Sequence, residues 1–311
     1  MRIVFFGTPP AALPSLAKLL DAGHHVELVI TQPDRPSGRG RRFTPSAVKT
    51  FALEHGLHCY QPERIRKEPE ALEKIQRISP DLIVVVAYGQ IIPASIIYFP
   101  RFHSINLHFS LLPNYRGASP VQWALLKGEK KTGVTIFELN EKMDEGDILV
   151  QHEVDIFPKE TAGELETRLA QIGADLLQKT VENIDDIKPW PQDHSQATYA
   201  PRLTKEDGRV DWQKTALLLE REIRAFQPWP TSYTHLRDSR IKIIKAETSG
   251  SVPNFSSIPG SIYKISRDGI EVCCGQRSVL LIQSIQPQGK KPMDAHAFSL
   301  GAKIKINDVF S

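Results

Sequence analysis

One short run limits what this chain can fold into. Leu82-Ile83-Val84-Val85-Val86-Ala87 is apolar at every position, so it has no polar face to give to water. An unbroken apolar run of this kind suits a strand covered on both faces, as in a parallel sheet flanked by helices. It is far short of the ~20 apolar residues that span a bilayer, so no membrane association is expected.

The flanking sequence repeats the same unit. Ile3–Phe6 is apolar and stops at Gly7-Thr8-Pro9-Pro10, and a helical pattern follows with Leu13, Leu16, Leu19 and Leu20 on one face and Gly23 as its stop. Val26–Thr31 reads as a strand, Ser46–His55 as a helix, Leu57–Tyr60 as a strand and Glu70–Ile78 as a helix. Beyond the apolar run, Ser104–His108 is a strand, Pro120–Lys127 a helix, Gly133–Leu139 a strand and Ile148–Phe157 a more exposed strand. Thr161 is placed to cap a long helix reaching about Ile184. Repeated β-α units predict an α/β fold with a doubly wound, mostly parallel sheet over residues 1–189.

The pattern then breaks. Pro189, Pro191 and Pro201 sit among polar residues with no periodic apolar face, which reads as a linker over 190–205. In 206–311 a helix at Lys214–Phe226 precedes strand-like runs at Ile241–Lys245, Gly260–Ile265, Ile270–Cys274, Val279–Gln286 and Ala302–Ile306. Short strands separated by Gly and Pro predict a small OB-like β-barrel. Residues 206–311 carry 15 basic and 11 acidic side chains, within a chain of net charge +3, so the C-terminal third is the modestly basic part.

Other features exclude more than they assign. The three cysteines, Cys59, Cys273 and Cys274, form neither a disulfide framework nor a zinc-site spacing, and a reduced cytoplasmic setting is expected. The opening run is too short for a signal-peptide core. The first βα turn, Gly7-Thr8-Pro9-Pro10, lacks the G-x-G-x-x-G fingerprint, and its prolines remove donors that would face a pyrophosphate. No G-x4-G-K-[ST] or G-x-S-x-G is present.

Chemistry concentrates in two stretches. Asn106 and His108 stand two apart at the end of a strand, so both face one way, where an apolar residue would otherwise be wanted. The Met143-Asp144-Glu145-Gly146-Asp147 loop is acidic, and a carboxylate returning from it to the sheet would orient the imidazole and supply a counter-charge. A solvated acidic turn is the plain alternative.

Asn106-Leu107-His108, then Ser110-Leu111-Leu112-Pro113, then Arg116-Gly117, then Asp144-Glu145-Gly146-Asp147-Ile148 resemble the formyltransferases that use 10-formyltetrahydrofolate. Thr31–Pro36, Val86–Pro93 and Arg224–Pro230 extend the resemblance along essentially the whole chain, most closely to members whose acceptor is methionine carried by initiator tRNA. One departure is Phe109, where the family more often has a small residue or proline. The resemblance implies a Rossmann-like catalytic domain with Asn106, His108 and Asp144 as its catalytic group. The amine of the acceptor attacks the formyl carbon, and Asn106 with protonated His108 would donate to the oxygen on which charge develops. The folate co-substrate would lie against Ser110, Leu111, Leu112, Pro113, Tyr88, Gln90 and Ile91. No metal and no tightly bound cofactor is implied.

Between Arg35 and Leu53 the chain has five basic residues and no acid, with Gly38 and Gly40 among them. The position of this loop at the exit of the second strand favours Arg39, Arg41 and Arg42 as contacts to the phosphates of charged initiator tRNA. A monomer is expected. Three rivals remain: a family member acting on a small amine such as an amino sugar nucleotide, a formylfolate hydrolase, and a non-catalytic RNA-binding module. The last would not require Asn106, His108 and Asp144 together.

Overall fold

The computed structural model describes residues 1–37, 42–253 and 257–311, and leaves the side chains of Ser37 and Arg42 undescribed. The chain forms two compact units. One comprises Met1–Pro120, Lys131–Asp155 and Glu166–Pro201, the other Val121–Lys130, Ile156–Leu165 and Arg202–Ser311.

The first unit is built on a seven-stranded sheet. Its strands are β1 (Arg2–Gly7), β2 (His25–Ile30), β3 (Cys59–Tyr60), β4 (Leu82–Val86), β5 (Ser104–His108), β6 (Lys131–Glu138) and β7 (Ile148–Asp155). They lie in the order β7-β6-β5-β4-β1-β2-β3. The five from β5 to β3 are parallel, β6 joins β5 antiparallel, and β7 joins β6 antiparallel. The apolar run is β4, every residue of which is buried. The helix Leu13–Asp21 buries Leu16 and Leu19. The helix Pro69–Ile78 buries Ala71 and Ile75, with Leu72 and Ile78 partly buried against the same cluster. Gly173, in the helix Ala162–Glu182, meets β5 closely, since a Cβ there would lie 2.7 Å from Leu107 Cδ2.

Strand order reverses between β1 and β4. In open parallel sheets ligands bind beyond the carboxyl ends of strands near such a reversal. β5 is the neighbour of β4, with Val85 paired to Asn106, so the Asn106–His108 end of β5 reaches that edge.

Residues 190–205, read from composition as a linker, are tied into this unit as far as Pro201. Trp190 and Ile148 exchange backbone hydrogen bonds of 2.8 and 3.0 Å, and Tyr199–Ala200 pairs in parallel with Arg116–Gly117. Proline and polar composition report the lack of an apolar face; they do not report pairing with a distant segment.

The second unit holds an antiparallel sheet of β8 (Tyr233–Leu236), β9 (Ser239–Ser249), β10 (Ile262–Ser266), β11 (Gly269–Cys274) and β12 (Ser278–Pro287), ordered β8-β9-β12-β11-β10. Met293–Asp294 pairs with β12. Ile241, Ile243, Ile270, Val272, Leu280 and Ile282 form its buried cluster, joined by Leu219 and Ile223 of the helix Ala216–Ala225. The expected strand at Ala302–Ile306 is instead a turn region after the helix Ala295–Gly301, with Lys303 and Asn307 at φ 50° and 72°. Sequence reading missed β8 and the two-residue strand Met293–Asp294. Residues 307–311 hydrogen-bond to both edges of the sheet: Ser311 exchanges bonds with His235, Phe310 N–H donates to Gly260 O, and Ile262 N–H donates to Asp308 O.

Candidate active site

Pleating puts Asn106 and His108 on one face of β5 and sends Leu107 the other way, toward Gly173. The Asn106 carboxamide is half-buried and has no hydrogen-bond partner among the described residues. An amide left unused by the fold, at the ligand-binding edge of a sheet, is a donor available to a ligand. His108 is only 7% exposed, and its Nε2 lies 2.9 Å from Tyr115 O. A carbonyl only accepts, so Nε2 carries a hydrogen. His108 Nδ1 faces Asp144 Oδ2 at 3.8 Å, too long for a hydrogen bond and close enough for charge to be felt.

Asp144 sits at φ 54°, the left-handed region that Asp tolerates better than most residues. Its Oδ2 accepts the Gly117 N–H at 2.7 Å. Gly117 is at φ 118°, and a Cβ there would fall 2.7 Å from Ala200 O, so the position demands glycine twice over. The acids of this loop divide their tasks. Asp144 faces His108, Glu145 pairs with Arg116 Nη1 at 3.4 Å, and Glu141 accepts from Tyr98 Oη at 2.8 Å.

Sequence reading missed the residues beneath the loop. Arg116 is 1% exposed and donates through Nε and Nη2 to Gln192 Oε1 at 3.1 and 2.7 Å, and through Nη2 to His194 Nδ1 at 2.9 Å. Gln192 Nε2 in turn donates to Asp144 O and Gly146 O at 2.9 and 2.7 Å. Arg116 stands in a recognised motif, but nothing local in the sequence marks Gln192.

The residues expected to receive folate behave differently from one another. Ser110 is buried, with Oγ donating to Asn114 O at 2.6 Å. Thr135 Oγ1 donates to Ser110 O and accepts from Leu112 N–H, while Gln151 Nε2 donates to Leu112 O. The Leu112 side chain packs with Phe137 and Ile148 in the core, and Leu111 rests over Gly133, where a Cβ would meet it at 2.5 Å. Tyr88 is also core, edge-on to Phe6 at 5.1 Å, and burial pushes its hydroxyl pKa up. Ser110, Leu112 and Tyr88 therefore offer no side-chain wall. Tyr88 and Leu112 are apolar and pack into the core of the sheet, and Ser110 is held by its hydrogen bonds to Asn114 and Thr135. Gln90 is engaged too, accepting from Ile65 N–H at 2.9 Å and donating to Pro62 O at 3.2 Å. What the edge of β4 leaves open is Ala87, Gly89 and Ile91, the last 60% exposed, with Leu111 and Pro113 half-exposed on the neighbouring loop. Small residues beside one apolar side chain leave room for a flat aromatic body.

Arg35–Ser37 pairs with Arg42–Thr44 as a short hairpin. Arg39, Arg41 and the side chain of Arg42 lie outside the described residues. At the hairpin's base, Asp34 accepts from Gln61 Nε2 at 2.8 Å and pairs with Lys49 at 2.7 Å, contacts that hold its carboxyl below the usual range. Lys49 and Arg35, the latter 3.8 Å from Glu63, are thus ion-paired. Trp212 is core, donating to Thr234 Oγ1 at 3.1 Å, whereas Trp229 is 49% exposed. Among the described residues no helix is long and apolar enough to cross a membrane.

With this geometry in view, the likeness to known proteins is informative. A family model described as formyl transferase matches residues 1–181, and one for the formyl transferase C-terminal domain matches 202–303. The chain is 44% identical over 311 residues to a protein of Clostridium novyi named methionyl-tRNA formyltransferase, covering 99% of each. Among solved structures it resembles WlaRD, a sugar 3N-formyl transferase crystallised in the presence of dTDP and 5-N-formyl-THF, at TM-score 0.65 and 21% identity over 94% of this chain and 99% of that one. It also resembles HypX from Aquifex aeolicus at TM-score 0.64 and 18% identity; 99% of the chain is covered, and it spans about half (48%) of that protein. At such identities these two show the fold.

Proposed function

The chain belongs to the formyl transferase family, and we propose that it moves the formyl group of 10-formyltetrahydrofolate to the α-amino group of methionine esterified to initiator tRNA. One observation carries the choice of acceptor. Proteins named methionyl-tRNA formyltransferase match this chain at 41–44% identity through both domains, whereas WlaRD matches at 21%.

In this reading Asn106, His108 and Asp144 are the catalytic group. The acceptor nitrogen bonds to the formyl carbon, negative charge gathers on the formyl oxygen, and the bond from that carbon to the folate nitrogen then breaks. Asn106 donates its unused amide N–H to the oxygen, and removing a donor of this kind costs about 10²–10³ in rate. The His108 Nε2 is already committed to Tyr115 O, so rather than serving as a second donor through that nitrogen, His108 acts with Asp144 on the proton that leaves the amine and ends on the folate nitrogen as its bond to the formyl carbon breaks. The folate is held at the carboxyl end of β4, against Ala87, Gly89, Ile91, Leu111 and Pro113. Gln90 and the buried Ser110, Leu112 and Tyr88 shape the loops around it.

Residues 1–189 are read as the catalytic domain, 190–205 as the connection and 206–311 as an OB-like tRNA-binding domain, with 307–311 joining the two edges of its sheet. Arg39, Arg41 and Arg42 contact tRNA phosphates. The protein acts as a monomer in the cytoplasm. The test is kcat/KM with the folate donor for two acceptors, charged initiator tRNA and an amino sugar nucleotide. Preference for the tRNA by several orders of magnitude supports the reading; preference for the sugar nucleotide overturns it.

A further inference from the structure

Asp144 faces His108 only if its loop returns to the sheet at one depth and one angle. Gln192 is the residue beneath that loop. Its amide nitrogen donates to two loop carbonyls, Asp144 O at 2.9 Å and Gly146 O at 2.7 Å. Its amide oxygen accepts two hydrogen bonds from Arg116. The orientation is forced: a guanidinium has only donors, so it must take the amide oxygen, and that turns the amide nitrogen toward carbonyls that can only accept.

The platform itself is firm. Gln192 is 5% exposed and Arg116 1%. A charge buried so completely requires partners, and Arg116 has Gln192, His194 and Glu145. The same stretch of chain reaches the catalytic pair directly, because Tyr115 O meets His108 Nε2 and Gly117 N–H meets Asp144 Oδ2. Gly146 lies tight against β6: a Cβ there would sit 1.6 Å from Glu138 O, so only glycine fits. The loop is thus held by Gln192 at Asp144 and Gly146, and between them by the Glu145–Arg116 ion pair.

We propose that Gln192, seated on Arg116, is a positioning residue that sets the Asp144 carboxylate opposite His108. This rests on the reading of Asp144 as part of the catalytic group. The test is Gln192→Glu in the full chain, alone and combined with Asp144→Asn. Glutamate keeps the length and still satisfies Arg116, but it sets an oxygen against the two loop carbonyls. The expected result is a fall in kcat of about 10²-fold, the scale of an ångström's misplacement, with KM for folate donor and charged tRNA within about twofold of wild type. In the Asp144→Asn background the same substitution should change kcat by less than about twofold, because the group it positions is gone.

Wild-type kcat in Gln192→Glu, with Asp144→Asn impaired, overturns the positioning role and leaves the catalytic reading standing. Equal falls in both backgrounds overturn it as well, since Gln192 would then act elsewhere. Near-normal kcat in Asp144→Asn removes the catalytic reading and the positioning role together. Should Gln192→Glu not fold, Gln192→Met, of similar length and without a donor, goes through the same cycle with the same outcomes.

Discussion

His108 Nδ1 lies 3.8 Å from Asp144 Oδ2, and that oxygen takes its hydrogen bond from the Gly117 N–H at 2.7 Å. The two side chains are therefore held at a set distance by backbone groups of one short segment, Tyr115–Gly117, rather than by a bond to each other. A carboxylate held in this way contributes charge at a place where the fold does not need it.

Asp144→Asn isolates that charge. The amide oxygen can still accept from Gly117, so folding and folate affinity should change little. The expected fall in kcat is about 10²-fold or more, measured by steady-state transfer alongside equilibrium folate binding. A near-normal kcat would remove Asp144 from the mechanism.

Leu112→Ala separates packing from ligand binding. Leu112 is buried with Phe137 and Ile148, so truncation should cost about 2–5 kcal/mol in denaturant unfolding. KM for the folate donor should stay close to wild type. A large rise in that KM with unchanged stability would restore Leu112 as a folate-contacting side chain.

Arg41→Ala with Arg42→Ala addresses the acceptor. Removing an arginine that neutralises a single-strand phosphate should flatten the log–log salt dependence of binding by about 0.7. KM for charged tRNA should rise while affinity for the folate donor stays the same. No change in either KM or salt slope would make the loop a solvated basic turn and favour a small acceptor.

Much of the fold is legible in the sequence because burial leaves a mark on consecutive residues. Leu82–Val86 suits only an interior strand, and Asn106 with His108 stand out as polar groups where the neighbouring strand should be apolar. Short edge elements leave weaker marks. Tyr233–Leu236 is four residues long and follows a Pro-Trp-Pro stretch, so its pairing leaves no periodic signal, while the apolar alternation of Ala302–Ile306 resembles a strand although the chain turns there. Tyr88 and Leu112 show a different limit. An apolar residue beside a site reads the same whether it faces the ligand or the core, and only the sheet's packing decides. Gln192 is least legible, because its partners Arg116, Asp144 and Gly146 lie 46 or more residues away.

The most direct test of the account is single-turnover transfer of a labelled formyl group from 10-formyltetrahydrofolate to methionyl initiator tRNA by wild type and Asn106→Ala. The Asn106 carboxamide bonds to no described residue, so its removal should leave unfolding free energy within about 0.5 kcal/mol of wild type. The account predicts transfer by the wild type and a rate lower by about 10²–10³ in the variant. Equal rates in the two proteins, or no transfer by the wild type, would contradict it.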